Sequence, residues 1–384
     1  MRYGIDASNL RSGGGVQHLL RILEYSEGGQ GGDTTVILWG SRALCERIPV
    51  RADITLTAIP ELDTSPFRRL FWQMQQLPKI ARSTCDVLFA PGGLAGKQFI
   101  PTVVMCRNML PFELSEARRY GATYMLARLL FLRFLQIRTF RRADGVVFLN
   151  DYARERVAAQ VGEIPGKTVL IAHGVENRFR QEPKPQRPIE DYSLERPFRL
   201  LYVSIVDEYK HQWNVAVAVA DLRRKGMPVT LEIVGSAYPP ALRRLTVSLD
   251  TLDPTRVFIQ YSGIVAHSEL HHRFHKADGF IFASTCENMP NILLEAMAAG
   301  MPIACSDRRP MVDILGEGSV FFDPLRTDSI SRAIANMVRD RDKRTSIAQT
   351  AYERAGGYTW GRCASETFSF LRACAGRKLR GASP

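Results

Sequence analysis

Short apolar runs rich in β-branched and aromatic residues recur along the chain, each followed by a stretch with helical spacing. In the first half they are Tyr3–Ala7, Thr35–Trp39, Ile54–Thr57, Val87–Ala90, Thr102–Cys106, Val146–Leu149 and Val169–Ala172. In the second they are Arg199–Ser204, Thr230–Val234, Val257–Gln260, Gly279–Ala283, Ile303–Ser306 and Val320–Phe322. Runs that stay apolar at consecutive positions are strands covered on both faces, and strands alternating with helices build parallel sheets. Between the two series, Glu182–Pro197 carries Pro183, Pro185, Pro188 and Pro197 among charges, the strongest linker signal in the chain. The pattern predicts an α/β protein of two doubly wound, Rossmann-like domains facing across a cleft. Their expected limits are residues 1–180 and 199–357, with a linker over 181–198 and a final segment over 358–384.

Length supports the division, because 384 residues exceed what one ordinary core holds. A hydrophobic share of 45% against 23% charged excludes wholesale disorder. The net charge of +12 is uneven: residues 1–180 hold 24 basic and 16 acidic side chains, the remainder 27 and 23. The first half is therefore the one expected to meet an anion, whether a phosphorylated substrate, a lipid headgroup or a nucleic acid. Seven cysteines without a C-x-x-C pair argue against a disulfide framework or zinc ribbon and for a reducing, cytoplasmic setting. The first residues run straight into a strand pattern with no apolar signal core, and no run approaches the roughly 18 apolar residues of a membrane span. Peripheral contact with the inner face of the plasma membrane stays compatible with these features.

Residues 118–142 hold seven arginines and no acid, around the run Met125-Leu-Ala-Arg-Leu-Leu-Phe-Leu-Arg-Phe-Leu. Arg128, Arg133 and Arg138 ring a helix and share no face, so a helix packed on its own domain with snorkelling arginines is the expectation. A basic helix lying on anionic lipid is the alternative. Phe67-Arg68-Arg69-Leu70-Phe71-Trp72 is a second basic and aromatic surface candidate.

Two segments could carry chemistry. Ser12-Gly13-Gly14-Gly15-Val16-Gln17-His18 follows the first strand and opens a helix. Glycines there let the backbone approach a ligand while the helix N-terminus offers free N–H groups to a phosphate; a tight turn without a ligand fits equally. It is not the dinucleotide fingerprint, which requires glycine where His18 stands. The second segment runs from Ala283 through Glu287, Asn288, Met289, Pro290, Asn291 and Ile292 to Glu295 and Pro302. Pro290 suits a first helical turn, Glu287 falls on the preceding loop, and Glu295 lies over a turn into the helix. Two such carboxylates can hold hydroxyls at the ends of an elongated ligand whose negative middle faces the free amides near Pro290–Ile292. A solvent-facing Glu287 and a Glu295 that merely suits the helix dipole explain the spacing as well.

In the context Glu-x-x-Pro-Asn-x-Leu-Leu-Glu-Ala-Met-Ala-x-Gly-x-Pro, Glu287 and Glu295 resemble the E-x7-E signature of retaining glycosyltransferases with the GT-B fold, closest to family 4. The resemblance extends along nearly the whole chain. Gly13, Gly14 and Gly15 stand where that family has its N-terminal glycine loop, and His173-Gly-Val-Glu-Asn-Arg-Phe is similar to the stretch before its interdomain linker. Leu201-Tyr-Val-Ser-Ile-Val-Asp-Glu-Tyr-Lys210-His resembles the segment with the donor-phosphate lysine, and Tyr358-Thr-Trp360 the start of a helix that crosses back to the first domain. The resemblance implies that Glu287 holds donor-sugar hydroxyls, Glu295 the ribose and Lys210 the diphosphate. Ser204, the Asn288–Ile292 segment and the glycine loop would complete the donor site. It further implies metal-independent hexosyl transfer, with no cofactor, from a nucleotide sugar to a glycan or lipid-linked glycan in bacterial surface polysaccharide assembly. GDP-mannose is the first donor expected.

Two departures stand out. Where the family has an arginine five or six residues before the lysine, this chain has Ile205 and Ser204; Arg11 or Arg107 would have to replace it. Where many relatives read His-Asp, this chain reads Cys106-Arg107-Asn108, which leaves Arg107, Asn108 and His173 as possible acceptor or phosphate contacts. His267, His271 and His275 recur at helical spacing, but no carboxylate or cysteine completes a metal set, so an exposed helix face is expected. Asp340-Arg-Asp342 reads as a solvated charge run, and Cys286 beside Glu287 as an unreactive thiol. A nucleotide-sugar epimerase and a non-catalytic, membrane-associated pseudoenzyme are the alternatives. Nucleic-acid binding lacks any supporting motif.

Overall fold

The computed structural model describes residues 1–11, 13–26, 34–96 and 100–379, and the chain divides into two compact units. Ser12 and residues 380–384 of the expected final segment lie outside the described residues. One unit holds residues 1–114, 122–174 and the chain from Thr359; the other holds Ser115–Gly121 and Val175–Tyr358.

The first unit is built on β1 (Arg2–Asp6), β2 (Thr35–Gly40), β3 (Ile54–Ala58), β4 (Val87–Ala90), β5 (Thr102–Met105), β6 (Gly145–Phe148) and β7 (Lys167–Leu170). They form one sheet in the order β3-β2-β1-β4-β5-β6-β7, all pairs parallel. The second is built on β8 (Phe198–Val203), β9 (Val229–Val234), β10 (Ile259–Gly263), β11 (Gly279–Phe282), β12 (Ile303–Ser306) and β13 (Val320–Phe322). Their order is β10-β9-β8-β11-β12-β13, again all parallel. The two-sheet expectation therefore holds, with every expected run a strand. Each sheet reverses its strand order once, between β1 and β4 and between β8 and β11. At such a switch point the loops leaving neighbouring strands diverge and open a crevice at the strands' C-terminal ends. The glycine loop follows β1; the segments with Lys210 and Glu287 follow β8 and β11.

Two strands are displaced by two residues from the expected runs. β10 starts at Ile259, and ahead of it the Asp253 carboxylate accepts from the amides of Val257 and Phe258 at 3.0 and 2.7 Å. β7 begins at Lys167, whose amide reaches Asp144 O at 2.9 Å. The final helix, Trp360–Leu379, packs on the first unit. Phe368 meets Tyr3 edge-on at 5.2 Å, and a Cβ on Gly145 would fall 2.8 Å from Cys374 Sγ, so β6 opens with glycine.

The proline-rich stretch expected as a linker lies on the second unit as a strap. Gln181 N donates to Ala298 O at 2.9 Å, and Lys184 Nζ donates to His275 O. Arg344, fully buried, donates to Gln186 Oε1 at 3.1 Å and to Arg187 O. An extended proline-rich chain leaves its own carbonyls unpaired, and here the Arg344 guanidinium takes that of Arg187 while Gln186 Nε2 takes that of Lys184 at 3.0 Å.

Helix Tyr124–Phe140 meets its domain through Leu129, Gln136, Thr139 and Phe140. The expectation of a packed helix holds for that side alone, since Tyr124, Phe131 and Phe134 are 79%, 54% and 63% exposed. Among the described residues no helix is long and apolar enough to cross a membrane.

Candidate functional site

β8 ends at Val203, and the loop to helix Gln212–Arg224 carries Lys210. The loop is held at both ends: Ser204 N reaches Val234 O at 2.9 Å, and Tyr202 Oη donates to Lys210 O. His211 closes the turn in the left-handed region, φ 51°, a conformation a side chain adopts only where its surroundings hold it there. Lys210 Nζ lies 4.9 Å from the Phe282 ring and 5.0 Å from the Tyr209 ring, and pairs with Glu287 Oε1. Their side chains are only 7% and 12% exposed. The two residues singled out in separate motifs, 77 positions apart, thus form one partly desolvated ion pair at the switch point.

Glu287 reaches that point because the turn after β11 is stitched to the Lys210 loop. Ala283 N donates to Tyr202 Oη at 3.2 Å, and Thr285 N donates to Tyr209 O at 2.8 Å. Asn288, Met289 and Pro290 are buried beyond it, and Pro290 stands at the N-cap of helix Asn291–Ala298. First-turn amides of a helix have no internal carbonyl to bond, so this end offers donors and positive dipole. Ser204 is buried, but its hydroxyl donates to Ile205 O at 2.9 Å.

Glu295 is buried one turn along. Burial pushes its carboxyl above the usual range, opposed by His267, whose Nε2 lies 3.4 Å from Oε1, and aggravated by Glu176. Oε2 is buried without a hydrogen-bond partner. A carboxylate with a free buried acceptor oxygen is disposed to take a hydroxyl donor. His267 in turn meets Arg178 through Nδ1. The histidine ladder is therefore not an exposed face. His267 and His271 pack on the Phe179 ring at 5.7 and 6.3 Å, and His275 Nε2 lies 3.4 Å from Phe179 O. The aromatic at Phe179 fills the space expected to be solvent. No cluster of metal-ligating side chains occurs among the described residues. Asp340 caps helix Arg341–Ala355 by accepting from Lys343 N at 2.9 Å, and Asp342 is exposed, as a solvated run requires. Cys286 is buried.

Several neighbours of the pair escaped the sequence reading. Ser115–Gly121 belongs to the second unit and carries Glu116, Arg119 and Tyr120. Glu116 accepts from Thr285 Oγ1 and is paired with Arg119 at 2.7 Å, while Tyr120 Oη donates to Asp207 at 2.9 Å. Burial pushes the Asp207 carboxyl up, against the lowering pull of its hydrogen bonds and Lys210. Burial, then the charges of Arg119 and Arg244, hold His211 down at about 3, so it stays neutral. Cations do stand near the Lys210 loop, though the sequence positions expected for an arginine hold Ile205 and Ser204. Only the acidic Asp207 three residues before Lys210 signalled any of this in the sequence.

The first unit has its own polar centre. Gly13, with φ 66° and ψ −157°, caps helix Gly14–Glu24 in a conformation open to glycine alone. A Cβ on Gly15 would fall 2.2 Å from Arg107 Nη1, so the guanidinium lies directly over the loop. Arg107 Nε is buried without a partner, and burial holds the group down at about 10. Arg11 is exposed. Asn108 is taken up locally, its Oδ1 accepting from Leu110 N at 3.1 Å. His173 departs from expectation: it is 3% exposed, stacked on Trp360 at 5.7 Å and against His18 at 5.0 Å. It is a packing residue, because the final helix covers it.

Two parallel Rossmann-like units with their polar centres at the switch points define the GT-B fold, the architecture of glycosyltransferases. Residues 188–354 match the family described as Glycosyl transferases group 1, so the second unit carries a domain of that type. Among curated proteins, the O-antigen chain mannosyltransferase B of Escherichia coli is 27% identical over 112 residues. The match spans 29% of this chain and 29% of that protein, under a third of its length. Anabaena HepE, crystallised with UDP and glucose, superposes with a TM-score of 0.70 at 16% identity over 97% of this chain and 100% of that one. The sucrose-phosphate synthase of Thermosynechococcus elongatus gives 0.74 at 16% identity over the full length of both.

Proposed function

We propose that the protein is a retaining, metal-independent glycosyltransferase that moves a hexosyl group from a nucleotide sugar to a glycan or lipid-linked glycan. The observation that carries this reading is the Lys210–Glu287 pair at the β8/β11 switch point, followed by the buried Glu295 one turn into the next helix, within the group 1 domain. The donor leaves as a nucleoside diphosphate from a centre with oxocarbenium character, so a cation and amide dipoles aimed at the leaving oxygens lower the barrier. Lys210 Nζ meets the diphosphate, with Ser204 and the amides from Asn288 to Ile292 beside it. Glu287, freed from Lys210, orients the sugar hydroxyls. Glu295 accepts a ribose hydroxyl on its unpartnered oxygen.

Gly13, Gly14 and Gly15 with Arg107 form the phosphate-binding element of the first unit. Arg11 and Asn108 are offered to the acceptor. Mannose is the transferred sugar favoured by the mannosyltransferase relative, while the HepE complex makes uracil nucleotides the second arm of any test. The setting proposed is surface polysaccharide assembly at the cytoplasmic side.

The test is a panel of GDP- and UDP-sugars, recording thermal shift and nucleoside diphosphate release for native protein and Glu287→Ala. One donor should stabilise the native chain and turn over, and the variant should lose both. An epimerase would return a nucleotide sugar instead. No shift with any nucleotide sugar at millimolar concentration would overturn the reading.

A further inference from the structure

The exposed side of helix Tyr124–Phe140 is unlike an ordinary solvent face. At about 100° per residue, Tyr124, Arg128, Phe131, Phe134 and Arg138 fall within roughly 120° of arc, so two of the three arginines expected to ring the helix do share a face and only Arg133 falls outside it. That arc lies opposite the buried Leu129 and Gln136. Three aromatic rings therefore face water on the side where a globular helix carries its polar residues. Large apolar side chains gathered on one face, rather than scattered singly, mark a surface that meets something else.

A second element of the same unit adds to it. Helix Pro66–Phe71 exposes Phe67 by 85% and Phe71 by 60%, one turn apart. The two helices are electrostatic neighbours. Beyond the effect of burial, the charges of Arg11 and Arg128 push the Arg69 guanidinium down. Among the described residues, Arg11, Arg68, Arg69, Arg128 and Arg138 form no ion pair, and neither helix contains an acid. Elsewhere in this unit arginines are neutralised, as Arg51 is by Asp53 and Arg156 by Glu113. Like charges clustered without counter-ions cost free energy that a surface of anions offsets.

We propose that these two helices dock the protein on an anionic lipid bilayer. Phe67, Phe71, Phe131 and Phe134 enter the headgroup region, and Arg69 and Arg128 meet lipid phosphates. Aromatic rings suit that depth, and arginine forks match phosphate oxygens. The inference goes beyond the transferase reading and does not need it.

The test uses the full chain and sedimentation with vesicles of phosphatidylcholine, alone or with about 30 mol% phosphatidylglycerol, a charge density near that of a cytoplasmic leaflet. Binding is expected to the anionic vesicles only and to weaken as salt is raised. Arg69→Gln and Arg128→Gln should each weaken it about fivefold. Phe131→Ser with Phe134→Ser should abolish it while circular dichroism and melting stay unchanged, since both rings are exposed. Equal binding to neutral vesicles, or none to anionic ones, overturns the proposal. So does a dimer in light scattering that the Phe131→Ser, Phe134→Ser variant splits, which would assign the face to a second copy. Donor binding measured without lipid is expected to survive all these changes, so the two proposals fail separately.

Discussion

Breaking the Lys210–Glu287 pair from one side should already cost most of what removing it whole costs. With side-chain exposures of 7% and 12%, neither charge recovers much hydration when its partner goes. At hydrogen-bond contact and an effective dielectric near 20, the attraction is about 5 kcal/mol before desolvation is charged against it. Lys210→Met leaves a buried carboxylate unpaired and Glu287→Gln a buried ammonium, each expected to cost about 3 kcal/mol or more. The double variant should cost less than the sum of the two, with a coupling of about 2 kcal/mol. The assay is urea-dependent hydrogen exchange of amides in β8 and β11, which follows the second unit without contribution from the first. A coupling below about 0.5 kcal/mol, the ordinary limit of additivity, would refute the pair as a feature of the free protein. The same four proteins then report on the donor. If the diphosphate takes over Lys210, donor binding should vanish in Lys210→Met and persist, weakened, in Glu287→Gln.

Other outcomes can be checked in parallel. The raised carboxyl of Glu295 contributes stability that is full below the ordinary value of 4.5 and lost as pH rises through the folded value. Glu295→Gln should therefore gain on the native chain as pH rises above 4.5 in thermal unfolding, while losing donor affinity. Tyr120→Phe removes the hydroxyl that donates to the buried Asp207 at 2.9 Å and should cost about 1–2 kcal/mol at neutral pH by denaturant titration. Arg344→Ala strips the guanidinium from the carbonyls of Arg187 and Val338 and should cost about 3 kcal/mol. It should also open the strap to chymotrypsin at Tyr192, which is buried in the native chain; a native-like digestion rate would contradict its holding role.

The sheets were legible because a parallel strand is apolar on both faces, so Phe280, Ile281 and Phe282 announce a buried strand without help from their partners. Lys210, Glu287 and Glu295 were legible because they lie on motifs read along the chain. What escaped was the company they keep. Nothing local connects Tyr120 to Asp207 or Glu116 to Thr285, since those contacts depend on a short segment joining the other unit. His267 was misjudged for a similar reason. Helical periodicity showed that three histidines share a face, but only tertiary packing could put Phe179 against it. His173 was masked in the same way by Trp360, about half the chain further on.

The route of the chain also bears on how the protein is made. A ribosome delivers all seven strands of the first sheet before any strand of the second, yet the helix that packs Phe368 on Tyr3, and Cys363 and Trp360 around His18, emerges only after every strand of the second. Tyr3 and His18 thus wait through the synthesis of the entire second sheet for their covering. The first unit begins before the second and is finished after it. A premature stop near residue 358 would release a complete second sheet beside an uncapped first one, and trimming the gene at the boundary between sheets would yield no self-contained N-terminal piece.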